Sequence, residues 1–135
     1  MKRKNILLLS VIAAITCCLM TSCEKPRRTC EITFINTTSN YGLQLYMNGA
    51  ARYSETSRLW PEQSETYTAM ENPNLTYWCV DNPVDIKIEW YKMTGNQTFN
   101  KKPDHEFTQK NYRFDYDHKY DIIVTDKVFS IQRVQ

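Results

Sequence analysis

The sequence predicts an all-β domain: an antiparallel sandwich of about seven strands, with a small β-barrel as the alternative. Three observations lead there. Apolar and polar residues alternate with period two through most of residues 30–135. Clusters of Asn, Ser, Asp, Gly and Pro interrupt the alternation at short intervals. Helical periodicity is nearly absent, and several short strands between turn signals point to a sandwich or barrel.

The chain divides into 1–22, 23–29 and 30–135. Residues 1–22 open with Lys2, Arg3 and Lys4 and continue with an apolar run from Ile6 to Met20. Thr21 and Ser22 lead from it to Cys23. A basic start, a short apolar run and a small-residue cut site make a secretory signal peptide. The alternative is an uncleaved anchor, but the run is short of the roughly 20 apolar residues a membrane span needs. Residues 24–29, EKPRRT, hold no apolar side chain and read as a tether.

Strands are expected in order from Ile32 and Phe34, then through Leu43, Leu45 and Met47. Asn48-Gly49 follows as a hairpin signal. Trp60 to Ser64 forms a loop closing on a strand at Tyr67 and Ala69. The clearest strand places Val84, Ile86, Ile88 and Trp90 on one face and Asp85, Lys87, Glu89 and Tyr91 on the other. Breaks are expected at 36–40, 71–74, 81–83 and 95–103. After Pro103, residues 104–110 are the best candidate for a single helical turn. Tyr112, Phe114 and Tyr116 alternate next, then Asp117-His118-Lys119 reads as a hairpin tip. Tyr120, Ile122 and Val124 continue, and a last strand runs from about Val128 to Ile131.

Met20-Thr21-Ser22-Cys23 resembles the lipobox of bacterial lipoproteins: an aliphatic residue, a small residue, Gly/Ala/Ser, then Cys. The resemblance implies that Cys23 receives diacylglycerol, becomes the first mature residue and is acylated again, palmitate being a usual chain. Two or three acyl chains hold a protein firmly on a bilayer where one holds it marginally. It also implies a cell-envelope location. Glu24 stands where Asp would favour inner-membrane retention, so the expected site is the outer membrane, facing the periplasm.

The stretch EITFINTTSNYGLQLYMNGAARYSETSRLWPEQSETYTA resembles the opening of small immunoglobulin-like envelope domains. The matching residues are Ile32 to Asn36, Leu43 to Met47, Asn48-Gly49, Pro61 and Tyr67. Glu62 stands where the pattern has glycine. The resemblance implies an immunoglobulin-like sandwich and no particular activity.

Of five cysteines, Cys17 and Cys18 leave with the signal peptide and Cys23 takes lipid. Cys30 and Cys79 remain. In an oxidising compartment they are expected to form one disulfide, the alternative being two separate buried thiols. A bridge closing about 50 residues contributes roughly 4 kcal/mol by chain entropy. Two cysteines with His105 and His118 lack zinc spacing, and the mature chain has no C-x-x-C. Asp115, Asp117 and Asp121 offer oxygens to calcium but lack the glycine and terminal glutamate of an EF-hand loop. A charged turn is the preferred reading, and no metal or cofactor is expected.

The chain carries 17 basic and 15 acidic residues. Without the three basic residues of 1–22, 14 basic face 15 acidic, a net charge of about −1. The only basic cluster, Lys25, Arg27 and Arg28, sits just after the expected anchor, so the concentrated basic stripe that nucleic-acid binding needs is not found. No G-x-S-x-G or Cys/His signature accompanies His105 or His118. Carboxylate pairs such as Glu62/Glu65 and Asp85/Glu89 could serve a glycosidase, but a domain this small rarely forms the deep cleft such chemistry needs. The domain is therefore expected not to be an enzyme. All 17 aromatic residues lie in the mature part. Trp60 beside a proline turn, and one of Trp90 and Tyr91, are candidates for a surface that binds a glycan or protein, with core packing as the alternative. The expected function is a lipid-anchored, non-catalytic binding protein of the envelope. A small inhibitor or immunity-type lipoprotein is the second reading, and a hydrolase using His105 or His118 the third.

Overall fold

The computed structural model describes residues 28–54, 56–70 and 83–135. Among these residues every regular element is a strand. They are β1 (Thr29–Asn36), β2 (Tyr41–Met47), β3 (Ala50–Ala51), β4 (Ser64–Met70) and β5 (Val84–Gly95). Then follow β6 (Thr98–Phe99), β7 (His105–Tyr112), β8 (Lys119–Val124) and β9 (Phe129–Arg133). One sheet has the order β4-β1-β8-β9; the other runs β3-β2-β5-β6, with β7 also paired to β5. The two sheets pack as a sandwich, so the all-β expectation is met. All pairs are antiparallel except β1 with β8, which run parallel.

The period-two pattern explains the core. From the first sheet, Cys30, Ile32 and Phe34 of β1 and Tyr120, Ile122 and Val124 of β8 are buried. Leu43, Leu45 and Met47 of β2 and Val84, Ile86, Ile88 and Trp90 of β5 meet them from the second. Each such side chain contributes roughly 1.5–3 kcal/mol by leaving water.

Turn chemistry fixes the hairpins. Asn48 and Gly49 both take positive φ, 49° and 80°, the geometry of the two-residue turn between β2 and β3. Glu62 adopts φ 62°, the left-handed conformation that the missing glycine would have taken. Its turn closes with the Gln63 N–H donating to the Trp60 carbonyl at 3.2 Å.

Three local expectations are corrected. Residues 104–110 are not a helical turn, because His105–Tyr112 is a strand donating to and accepting from the free side of β5. The strand expected through Phe114 and Tyr116 ends instead at Tyr112. Asp117-His118-Lys119 is not a hairpin tip, since β7 and β8 belong to different sheets. The segment between them crosses the sandwich. Phe114 fills that crossing, with ring centroids 4.7 Å from Tyr112 and 4.9 Å from Tyr120. The Asp115 N–H donates to the Tyr120 hydroxyl at 2.9 Å, a tyrosine-corner type of bond. The breaks expected at 71–74 and 81–82 lie outside the described residues.

Candidate functional site

The outer face of the β3-β2-β5-β6 sheet carries a cleft of about 880 Å³. Its position follows from β2. One edge of β2 pairs with β5; the other edge pairs first with β3 and then with the segment after it. The Arg52 N–H donates to the Leu45 carbonyl at 2.8 Å. Gln44 clamps Tyr53, its amide donating to the Tyr53 carbonyl at 2.7 Å and accepting from the Tyr53 N–H at 2.9 Å. Leu43 and Leu59 exchange both backbone bonds at 3.0 Å. Leu59 therefore points into the core, and Arg58 and Trp60, its neighbours, point outward.

Buried Asn36 fixes the same segment from the other sheet. Its amide donates to the carbonyls of Tyr41 at 2.9 Å and Leu59 at 3.0 Å. Its side-chain oxygen accepts from the N–H and hydroxyl of Thr38.

The outward side chains then meet. The Arg58 guanidinium lies 4.0 Å from the centroid of the Tyr91 ring, a cation–π contact. Phe99 folds over Gly42, where a Cβ would lie 2.4 Å from the ring. Trp60 packs on Phe99 at 5.1 Å. Tyr46, Tyr53, Gln97 and Asn100 complete the walls.

A buried carboxylate supports the cleft. Glu89, 7% exposed, accepts from Tyr46 at 3.0 Å, Tyr91 at 2.8 Å and Lys87 at 2.9 Å. Burial pushes its pKa up, but the bonds from Lys87, Tyr91 and Tyr46 outweigh that and the net direction is down. Burial and then the Glu89 carboxylate push the Tyr91 phenol up to about 12. A second carboxylate, Glu65, accepts from Tyr53 and pairs with Arg52 at 3.2 Å. Burial raises it, the Tyr53, Tyr67 and Arg52 donors lower it, and it too ends below the usual carboxylate range.

The expected binding aromatics fall differently. Trp60 is half-buried beside the cleft through Phe99. Trp90 is fully buried, and its indole N–H donates to the Thr125 carbonyl at 2.7 Å. Tyr91 is 7% exposed. The expectation that one of this pair faces water is thus corrected: the sandwich core covers Trp90, and Arg58 covers Tyr91. Arg58, Phe99, Tyr46 and Tyr53 were not singled out by sequence. The alternation Arg58-Leu59-Trp60 around one core residue was the available signal.

Cys30 is 1% exposed, and burial, then Asp115 and Glu31, push its thiol up to about 11. It has no disulfide partner among the described residues. Cys79 and the adjacent Trp78 lie outside them, as does Cys23. Among the described residues no three carboxylate, histidine or cysteine side chains converge as a metal site. Of the carboxylate pairs, Glu62 occupies the exposed turn while Glu65 is held by Tyr53 and Arg52. Asp85 accepts from the Asn111 N–H at 2.8 Å, away from the Glu89 network.

His105 stacks on Trp90 at 4.6 Å, with Nδ1 3.6 Å from Asp104, which also accepts from Tyr41 at 3.0 Å. The shallow depression around it is lined by Asn40, Lys92, Asp126 and Lys127, with no serine or cysteine. His118 lies 3.0 Å from the terminal Gln135 carbonyl through Nδ1.

No protein-family model, curated protein or solved structure shows significant similarity to this chain.

Proposed function

We propose that this chain is a lipid-anchored, non-catalytic binding module of the bacterial envelope. Residues 1–22 are removed, Cys23 carries the lipid, and 23–29 tether a single domain, with Cys30 and Cys79 bridged. The module faces the periplasm from the outer membrane. The observation that carries the binding reading is the cleft. Its volume lies within the roughly 300–1,000 Å³ of small-ligand sites. Aromatic and amide side chains line it, on a sheet face held by the Glu89 hydrogen bonds.

The placement agrees with such a role. The expected tether leads into Thr29, the start of β1, where the Asp117 N–H donates to the Thr29 carbonyl. The loop carrying Arg58 and Trp60 joins β1 at its other end, through Asn36. Eight strand residues separate the two ends by roughly 25 Å.

Two measurements test this reading. Cys23→Ser is expected to abolish labelling by a fatty-acid probe; unchanged labelling removes the anchor. The secreted Cys23→Ser chain is then screened against envelope glycans and envelope proteins by calorimetry. Phe99→Ala is expected to weaken the ligand found; retention of full affinity moves the binding site elsewhere.

A further inference from the structure

We infer that the cleft binds a carboxylate-bearing saccharide and that Arg58 is the group that recognises its acid. This rests on the binding-module reading above and specifies its ligand.

Arg58 brings a cationic charge to the cleft lining. Around it, Lys87 of β5 is paired with Glu89, and Arg52, just after β3, with Glu65. Among the described residues Arg58 has no carboxylate within ion-pair distance. Its Nη1 donates to the carbonyls of Ser54 and Ser57, both at 2.6 Å. Those bonds orient the guanidinium without neutralising it. Its Nε is buried and makes no hydrogen bond, and Nη2 remains for a ligand. The Glu89 carboxylate accepts instead from Lys87, Tyr46 and Tyr91, and among the described residues it forms no ion pair with Arg58. A guanidinium fixed over an aromatic ring, with a donor to spare, matches a carboxylate. Lys101 adds a second positive charge to the same lining.

The remaining walls favour a sugar over a peptide. Gln97, Asn100 and Thr56 offer amides and a hydroxyl, partners for ligand hydroxyls, while Phe99 and Tyr53 offer ring surface to C–H faces. A peptide added as a strand needs a long free edge. The bordering strands β3 and β6 are two residues each.

The test uses the full mature chain with Cys23→Ser and four probes. These are oligogalacturonate, its methyl ester, a neutral oligosaccharide of equal length, and oligoglutamate. Oligogalacturonate is expected to bind at least tenfold more tightly than the ester and the neutral sugar, with an affinity that falls as salt rises. Arg58→Gln is expected to bring the acid down to the level of the ester, with a single cooperative melting transition showing that the variant folds. Lys101→Gln, at an exposed position, gives a smaller loss of the same kind. Equal binding of acid, ester and neutral sugar overturns the role of Arg58 and leaves the binding module standing. Oligoglutamate binding as tightly as the acidic saccharide overturns the saccharide. Binding of none of the probes, with an envelope protein bound at the Phe99 cleft, overturns the inference alone. Absence of any ligand at that cleft removes the parent reading as well.

Discussion

Gly42 and Phe99 occupy the same space in turn: a Cβ on Gly42 would sit 2.4 Å from Phe99 Cε1 and 3.0 Å from Arg58 Cβ. The absent side chain lets the Phe99 ring lie over β2 and close one wall of the cleft. Gly42→Ala is therefore expected to displace the ring and cost about 1–3 kcal/mol, as overpacking does. In the double variant with Phe99→Ala the clash disappears. Denaturant titration of the cycle is expected to show a coupling of at least about 0.5 kcal/mol; additive effects would mean that the ring is not where the wall needs it.

Glu89 sits between three donors, and hydrogen bonds to a charged group contribute about 1.5–3 kcal/mol each. Glu89→Gln keeps the shape, loses the charge and is expected to destabilise by about 1.5–3 kcal/mol. The pH dependence has a fixed sign. The folded pKa is depressed, so the unfolded chain takes up its proton first as pH falls. The Glu89 contribution is complete above the ordinary carboxylate range near 4.3 and is lost as pH drops through the folded value. Glu89→Gln is expected to flatten the acid limb of the stability profile; a parallel limb in both proteins would contradict the network.

Cys30 gives a prediction that separates bridge from thiol. In denaturant without reductant, alkylation of the Cys23→Ser chain is expected to leave Cys30 and Cys79 unlabelled; a mass gain of two alkyl groups sinks the bridge. In the reduced folded domain, a thiol pushed up to about 11 is almost wholly protonated at pH 8 and alkylates slowly. Because the folded pKa is raised, stability of the reduced form is complete below the ordinary thiol value near 8.5 and falls as pH rises toward 11.

Tyr120 ties its hydroxyl to the Asp115 backbone where the chain crosses between sheets. Tyr120→Phe keeps the packing on Phe114 and removes the bond. The expected loss is about 0.5–1.5 kcal/mol, measured by thermal and urea unfolding. An unchanged midpoint would assign the corner's stability to the rings alone.

Glu62 holds a left-handed backbone that glycine adopts freely, whereas another side chain costs roughly 1–2 kcal/mol there. Glu62→Gly is expected to raise stability by about 0.5–1 kcal/mol after the added chain entropy of glycine. A lower melting temperature would show that the Glu62 side chain contributes in its own right.

Residue pattern alone determined a good deal of this protein. Alternation in 84–91 and 120–124 gave the inward faces, Asn48-Gly49 gave the hairpin, and Trp60-Pro61 gave the turn. These are local properties: neighbouring side chains on a strand point to opposite faces, and turn residues choose their own φ. The folded chain decided which strands pair. Local pattern does not distinguish β7 as a third strand beside β5 from a helical turn, nor β8 beside β1 in parallel from a partner of β7. Both depend on backbone donors and acceptors far away in sequence. The candidate site divides the same way. Tyr91 was legible as an outward side chain, but its cover was not, since Arg58 reaches it only after Leu59 docks on Leu43 and Gly42 admits Phe99. Trp90 and Tyr91 alternate as two-sided strand residues should, and both are buried because each face of β5 has acquired a lid from elsewhere in the chain.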